Sequence, residues 1–120
     1  MTEHLQKSST EDTVLQCLRA LRTLIGKEHY WCKGNYARTA LGCGTSAINT
    51  DACQWCLIGG MSKVTRVIYL YYGLRDALVA QLEGYSPRIT PDSALIGFND
   101  HSTHAEVIAL IDAAIAARTP

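Results

Sequence analysis

Three pairs of metal-competent side chains stand three positions apart in this chain: His29 with Cys32, Cys53 with Cys56, and His101 with His104. A structural zinc ion is held by four Cys or His side chains aimed at one tetrahedral point. Two converging pairs would therefore suffice, and His29, Cys32, Cys53 and Cys56 form the candidate set. A plainer explanation competes with it. Free cysteine is among the most buried residue types and packs as a small hydrophobe, and Cys53 and Cys56 fall in a stretch that reads as helix. The plainer explanation is preferred, so no metal and no cofactor is assigned. A thioredoxin-like role for Cys53-x-x-Cys56 would need a βαβ pattern nearby, and none is present.

The same residue types could serve nucleophilic catalysis. A thiolate is the attacking species, so a catalytic cysteine needs a base to activate it and a third group to orient that base. Cys56 as nucleophile, His104 as base and Asp100 as orienter would make such a set, with Cys32 as the less favoured nucleophile. Asn99 and Asp100 also have a simple role as turn residues before the last helix, where short polar side chains bond the backbone.

Recognition is the third chemistry. The stretch "HYWCKGNYAR", residues 29–38, places Trp31 and Tyr36 among Lys33 and Arg38. Aromatic faces beside cations suit stacking combined with anion contact, and the same types dominate protein-interface hot spots. The competing role is structural, with Trp31 and Tyr36 pinning the loop to the core. A purely binding Trp31 predicts that Trp31→Ala spares the melting temperature; a pinning Trp31 predicts a large drop.

These candidates must be positioned by the elements around them. Val14, Leu18, Leu21 and Ile25 recur at helical spacing, and Gly26 is a natural stop, so the pattern predicts a helix over 10–26. Ser9 or Thr10 is its expected cap, and residues 1–9 are expected to be flexible. Residues 27–49 show no periodic apolar pattern and contain Gly34, Gly42 and Gly44. They are expected to form a long aromatic loop, a feature that is uncommon in small domains and often functional. A second helix is expected over 50–61, weakened at its end by Gly59-Gly60, unless that pair lets another backbone approach closely. A third is expected over 63–83. A connector with two prolines follows, with a short helical turn over 91–96. Thr103 and Glu106 match a capping box and open the last helix, 103–117. The expectation is an all-α bundle of four main helices in one domain, 10–120.

Composition excludes several classes. The 120 residues carry 11 Lys+Arg against 11 Asp+Glu, which argues against general nucleic-acid binding, where a basic excess is normal. No apolar run reaches the ~20 residues a membrane span needs, and the N-terminus lacks a signal-peptide pattern. Five cysteines fit a closed disulfide framework poorly, so a cytoplasmic protein with free thiols is expected. Tyr69, Tyr71 and Tyr72 cannot all face inward from one helix, which leaves a possible homodimer surface.

Taken together, "WCKGNYAR" (31–38), "CQWCLIGGM" (53–61) and "GFNDHSTHAEVIALIDAAI" (97–115) resemble a family of small bacterial and phage proteins known only as a domain of unknown function. The resemblance spans nearly the whole chain. It implies a compact helical domain without assigned activity, and it carries over Trp31, Gly34, Tyr36, Ala37, Arg38, Cys56, Gly59, Phe98, Asn99, Asp100 and Glu106. The expectation is a small non-enzymatic binding or regulatory protein. It would hold a partner protein or a small anionic ligand through Trp31, Lys33, Tyr36, Arg38, Asn99 and Asp100.

Overall fold

A computed structural model describes the backbone from Thr2 to Pro120 and the side chains from Thr13 onward. Helix α1 (Thr2–Leu24) leads into a 3-10 turn over Glu28–Tyr30, then strands β1 (Ala37–Thr39), β2 (Gly44–Thr45) and β3 (Ala52–Trp55). Helices α2 (Leu57–Thr65), α3 (Ile68–Val79), α4 (Pro91–His101) and α5 (His104–Arg118) complete the chain. The helix expected over 10–26 begins at Thr2 instead, so Ser9 and Thr10 lie within α1 and not at its cap; the side chains of residues 2–12 lie outside the described residues.

The all-α expectation is overturned. The strands form an antiparallel three-stranded sheet in the order β2-β1-β3, and two of them lie inside the stretch expected to be a loop over 27–49. Each strand is only two to four residues long, too short to show a period-2 pattern, so glycine punctuation dominates the local signal. The expected helix 50–61 is half strand. Cys53 and Cys56 share a face at helical spacing, yet the backbone of 52–55 finds its hydrogen bonds in β1, with Arg38 opposite Gln54 and Ala37 opposite Trp55. Cys56, in extended conformation (φ −78°, ψ 176°), ends the strand and caps α2.

The expected helix 63–83 is also broken. Arg66 adopts a left-handed conformation (φ 57°, ψ −7°) after α2, and Val67 is extended before α3. A non-glycine residue there costs roughly 1–2 kcal/mol, and no glycine or proline in the sequence marks the position. In the other direction, the short turn expected over 91–96 is a full helix. Thr90 accepts a hydrogen bond from the Ser93 amide and Pro91 occupies the first turn, a favourable start because proline has no amide to leave unpaired. The expected capping box is present: the Thr103 side chain accepts from the Glu106 amide and Glu106 accepts from the Thr103 amide.

The core lies between the helices and one face of the sheet. Leu18 and Leu21 of α1, and Ile25 just after it, pack with Leu57, Met61, Leu74, Leu78, Leu95, Val107 and Ile111, all fully buried. Trp55 bridges sheet and core, its Nε1 donating to the Ala47 carbonyl at 2.9 Å. Among the described residues no helix is long and apolar enough to cross a membrane.

Two glycines of α2 make this packing possible. A Cβ on Gly59 would lie 1.9 Å from the Tyr36 carbonyl oxygen, and one on Gly60 would lie 2.7 Å from Leu21 Cδ1. The double glycine thus admits a backbone neighbour at the start of a helix. Gly59→Ala is expected to destabilise the fold by about 3 kcal/mol, the upper end for overpacking a rigid backbone contact. Gly97→Ala in α4, where nothing lies within 4 Å, is expected to be neutral or to stabilise by up to ~1 kcal/mol. Urea unfolding of both variants checks the contrast.

Candidate functional site

Asn99, in the last turn of α4, is 1% exposed and is the centre of the site. Its Oδ1 accepts from Trp31 Nε1 at 2.7 Å and from the Leu57 amide at 3.0 Å. Its Nδ2 donates to the Cys32 carbonyl at 3.1 Å and lies 3.3 Å from Asp100 Oδ1. One carboxamide therefore joins the 31–36 loop, the first amide of α2 and the end of α4. Asp100 adds a second tie, accepting from the Gly34 amide at 3.1 Å. Gly34 has φ +81°, a conformation that favours glycine.

Cys56 sits beside this junction. Its amide donates to the Tyr36 carbonyl at 3.1 Å, and its Sγ accepts from the Gly59 amide at 3.3 Å. The thiol is thus the N-cap of α2 and satisfies one of the donors a helix start leaves unpaired. Burial pushes the Cys56 thiol up from its ordinary pKa; the amide hydrogen bonds from Gly59 and Ile58 oppose this, and the Asp100 carboxylate adds to it. Cys32, also buried, is pushed up to about 11, chiefly by burial. Both are thiols, not thiolates, at neutral pH.

A two-lobed cleft opens over these residues. One lobe, of about 350 Å³, is bounded by Gly34, Asn35, Tyr36, Cys56, Asn99 and Asp100, with Thr45 and Ile96 at its sides. The second, of about 450 Å³, runs from Tyr36 and Ile96 past Ile58 and Gly59 to Tyr71 and Asp92. Tyr36 and Ile96 line both lobes. Tyr71 donates to Asp92 Oδ1 at 3.0 Å; burial, and the neighbouring Asp92 carboxylate, push the phenol far above its ordinary range.

The other expected site residues divide around this cleft. Trp31 belongs to the junction: its indole donates to Asn99 Oδ1, and its ring lies 5.5 Å from that of His104. Lys33 Nζ stands 5.4 Å from the Trp31 ring centroid on the outer side. Arg38 is committed to the loop, donating to Asn35 Oδ1 at 2.8 Å and to the Lys33 carbonyl. Neither cation lines the cleft. His104 Nε2 lies 2.7 Å from the Ile25 carbonyl, tying the end of α1 to the start of α5, and it does not line the cleft either. His29 and His101 are exposed, and Cys53 lies in β3 on a separate shallow hollow with Tyr30 and Trp55. Among the described residues no three Cys, His, Asp or Glu side chains stand together as a metal site would require.

Sequence reasoning did not single out Asp92, Ile96 or Tyr71 as site residues. Asp92 had a local signal in Thr90-Pro91-Asp92-Ser93, which marks a helix start. Nothing local marks Ile96 or Tyr71, because their place in the cleft depends on α3 and α4 packing together.

A family model described as "Family of unknown function (DUF6197)" matches residues 9–117. The chain belongs to this family. The match takes in every residue of the cleft and all of α2 to α4 of this DUF6197 chain. No curated protein and no solved structure matches it.

Two outcomes follow from the geometry. Asn99→Ala strands the Leu57 amide, the Cys32 carbonyl and the Trp31 indole. It is expected to cost about 3 kcal/mol or more, since each buried group left unpaired costs ~1–3 kcal/mol. Trp31→Ala is expected to lower stability by about 2–3 kcal/mol, while Arg38→Ala stays within about 1 kcal/mol. Thermal unfolding ranks the three. In native protein, iodoacetamide should label exposed Cys43 first. Cys56 should stay silent through neutral pH and react only above the ordinary thiol range, as peptide mass mapping across a pH series would show.

Proposed function

We propose that this protein is a non-enzymatic binding module whose ligand occupies the cleft between residues 34–36, the start of α2 and the face of α4. The observation that supports it best is the cleft's construction. Asn99 of the buried junction lines one lobe, Tyr36 lines both, and the lining is mostly apolar with a few placed polar groups, the usual make-up of a small-molecule site. The proposal retains the expected roles of Tyr36, Asn99 and Asp100. It moves Trp31 to a supporting role and leaves Lys33 and Arg38 outside the cleft.

The cysteine-hydrolase alternative has less support. Cys56 and Asp100 face the same lobe, but the lobe contains no histidine, His104 is engaged with the Ile25 carbonyl, and the thiol is raised by burial. A nucleophile without an adjacent base and with a raised pKa is poorly activated. The homodimer expectation attaches to a different face. Ile68, Tyr69 and Tyr72 of α3 are exposed, and none of them lines the cleft.

Amide chemical-shift mapping with a small-fragment mixture tests the binding proposal without knowledge of the ligand. Perturbations should cluster at Gly34, Tyr36, Gly59 and Ile96, and Tyr36→Ala should weaken the strongest fragment about tenfold, or ~1.4 kcal/mol. Shifts scattered over the surface, or none, would count against it.

A further inference from the structure

The two lobes differ from the expected anion site in the sign of their charge. Among the described residues that line them, the charged side chains are Asp100 in one lobe and Asp92 in the other. Each carboxylate uses Oδ1 within the protein, Asp100 toward the Gly34 amide and Asp92 toward the Tyr71 hydroxyl. Among the described residues, neither Oδ2 has a hydrogen-bond partner or a salt-bridge cation. Each carboxylate therefore has one oxygen that holds the cleft together and one that is free for a ligand.

Their spacing adds a length. Asp92, Ile96 and Asp100 stand at i, i+4 and i+8 on α4, so they rise along one side of the helix over two turns. At 1.5 Å per residue the backbone positions of Asp92 and Asp100 are separated by about 12 Å along the axis. Ile96, midway between them in sequence, lines both lobes, as does Tyr36. The order along the cleft is carboxylate, apolar and aromatic wall, carboxylate. An aromatic face also attracts cations, by roughly 0.5–1 kcal/mol at an exposed site.

Resting on the binding proposal above, we infer that the ligand is a linear polyamine: a flexible methylene chain with an ammonium group at each end and a further ammonium within it. One terminal ammonium would meet Asp100 Oδ2, the other Asp92 Oδ2, the methylene segments would cross Ile96, and the inner ammonium would lie by the Tyr36 ring. An anion would meet two carboxylates and no cation. A compact cation would fill one lobe only. Since the chain as a whole has a formal net charge of zero, attraction of a polycation has to come from these local carboxylates and not from a general field.

Titration calorimetry at low salt, with spermidine as probe and n-butylamine as the single-cation comparison, tests this. Spermidine is expected to bind at least tenfold more tightly than n-butylamine, and its affinity should fall as salt rises. Asp92→Asn and Asp100→Asn each retain an oxygen for Tyr71 or Gly34, so both should fold, which melting curves verify. Each is expected to lose about tenfold in spermidine affinity, while Asp51→Asn, in an exposed turn outside the cleft, should lose none. Equal affinity for the two amines, or an equal loss from Asp51→Asn, would overturn the inference. Fragment shifts in the cleft with no spermidine binding would overturn the polyamine assignment and leave the binding proposal intact. Neither fragments nor spermidine in the cleft would overturn both.

Discussion

The side-chain amide of Asn99 is the constraint on which the rest of this structure depends. A buried polar group is tolerable only when its hydrogen bonds are made, and Asn99 makes them to three separate parts of the chain: Trp31 and Cys32, Leu57, and its own neighbour Asp100. No apolar residue could replace it, because the groups it satisfies are themselves buried or half-buried and would be left unpaired. The junction sets where the 31–36 loop lies, where α2 begins and how α4 ends. The cleft is the space those three elements leave between them.

A second constraint operates at the join of β3 and α2. Cys56 ends a strand with its amide on Tyr36 and opens a helix with its sulfur on Gly59. The loop backbone at Tyr36 comes so close to α2 that only a glycine fits at position 59. These contacts explain a cysteine at this position without catalysis. A thiol that caps a helix inside a buried junction is doing structural work, and the burial that lets it cap also suppresses its ionisation. The same contacts fix the backbone of Tyr36, a residue that lines both lobes.

The charge of the cleft follows from the same architecture. The loop's cations do not line it: Arg38 closes the loop through Asn35, and Lys33 lies near the Trp31 ring. The carboxylates come from α4, where Asp92 also suits the positive end of the helix dipole. A stretch that reads as cationic along the chain therefore borders a cavity that is acidic in space.

Much of the helical frame was legible from local patterns. The apolar face of α1, the capping box of α5 and the Thr90-Pro91 start of α4 are short-range physics, set by residues within a turn or two of each other, and they appear where the sequence places them. The family motifs likewise pointed to Asn99, Asp100, Tyr36 and Cys56. Tertiary structure decided the rest. Strands of two to four residues form only because residues 37–39 find partners at 44–45 and 52–55, and no local period records that pairing. The left-handed Arg66 splits a continuous apolar stripe because packing on both sides outweighs a local cost of one or two kcal/mol. Which side chains line the cleft, Tyr36 and Asp100 and not Trp31, Lys33 or Arg38, turned on how the Asn99 junction assembles. Hydrogen bonds spanning more than sixty residues are properties of the assembled fold, and a reading limited to neighbours along the chain has no access to them.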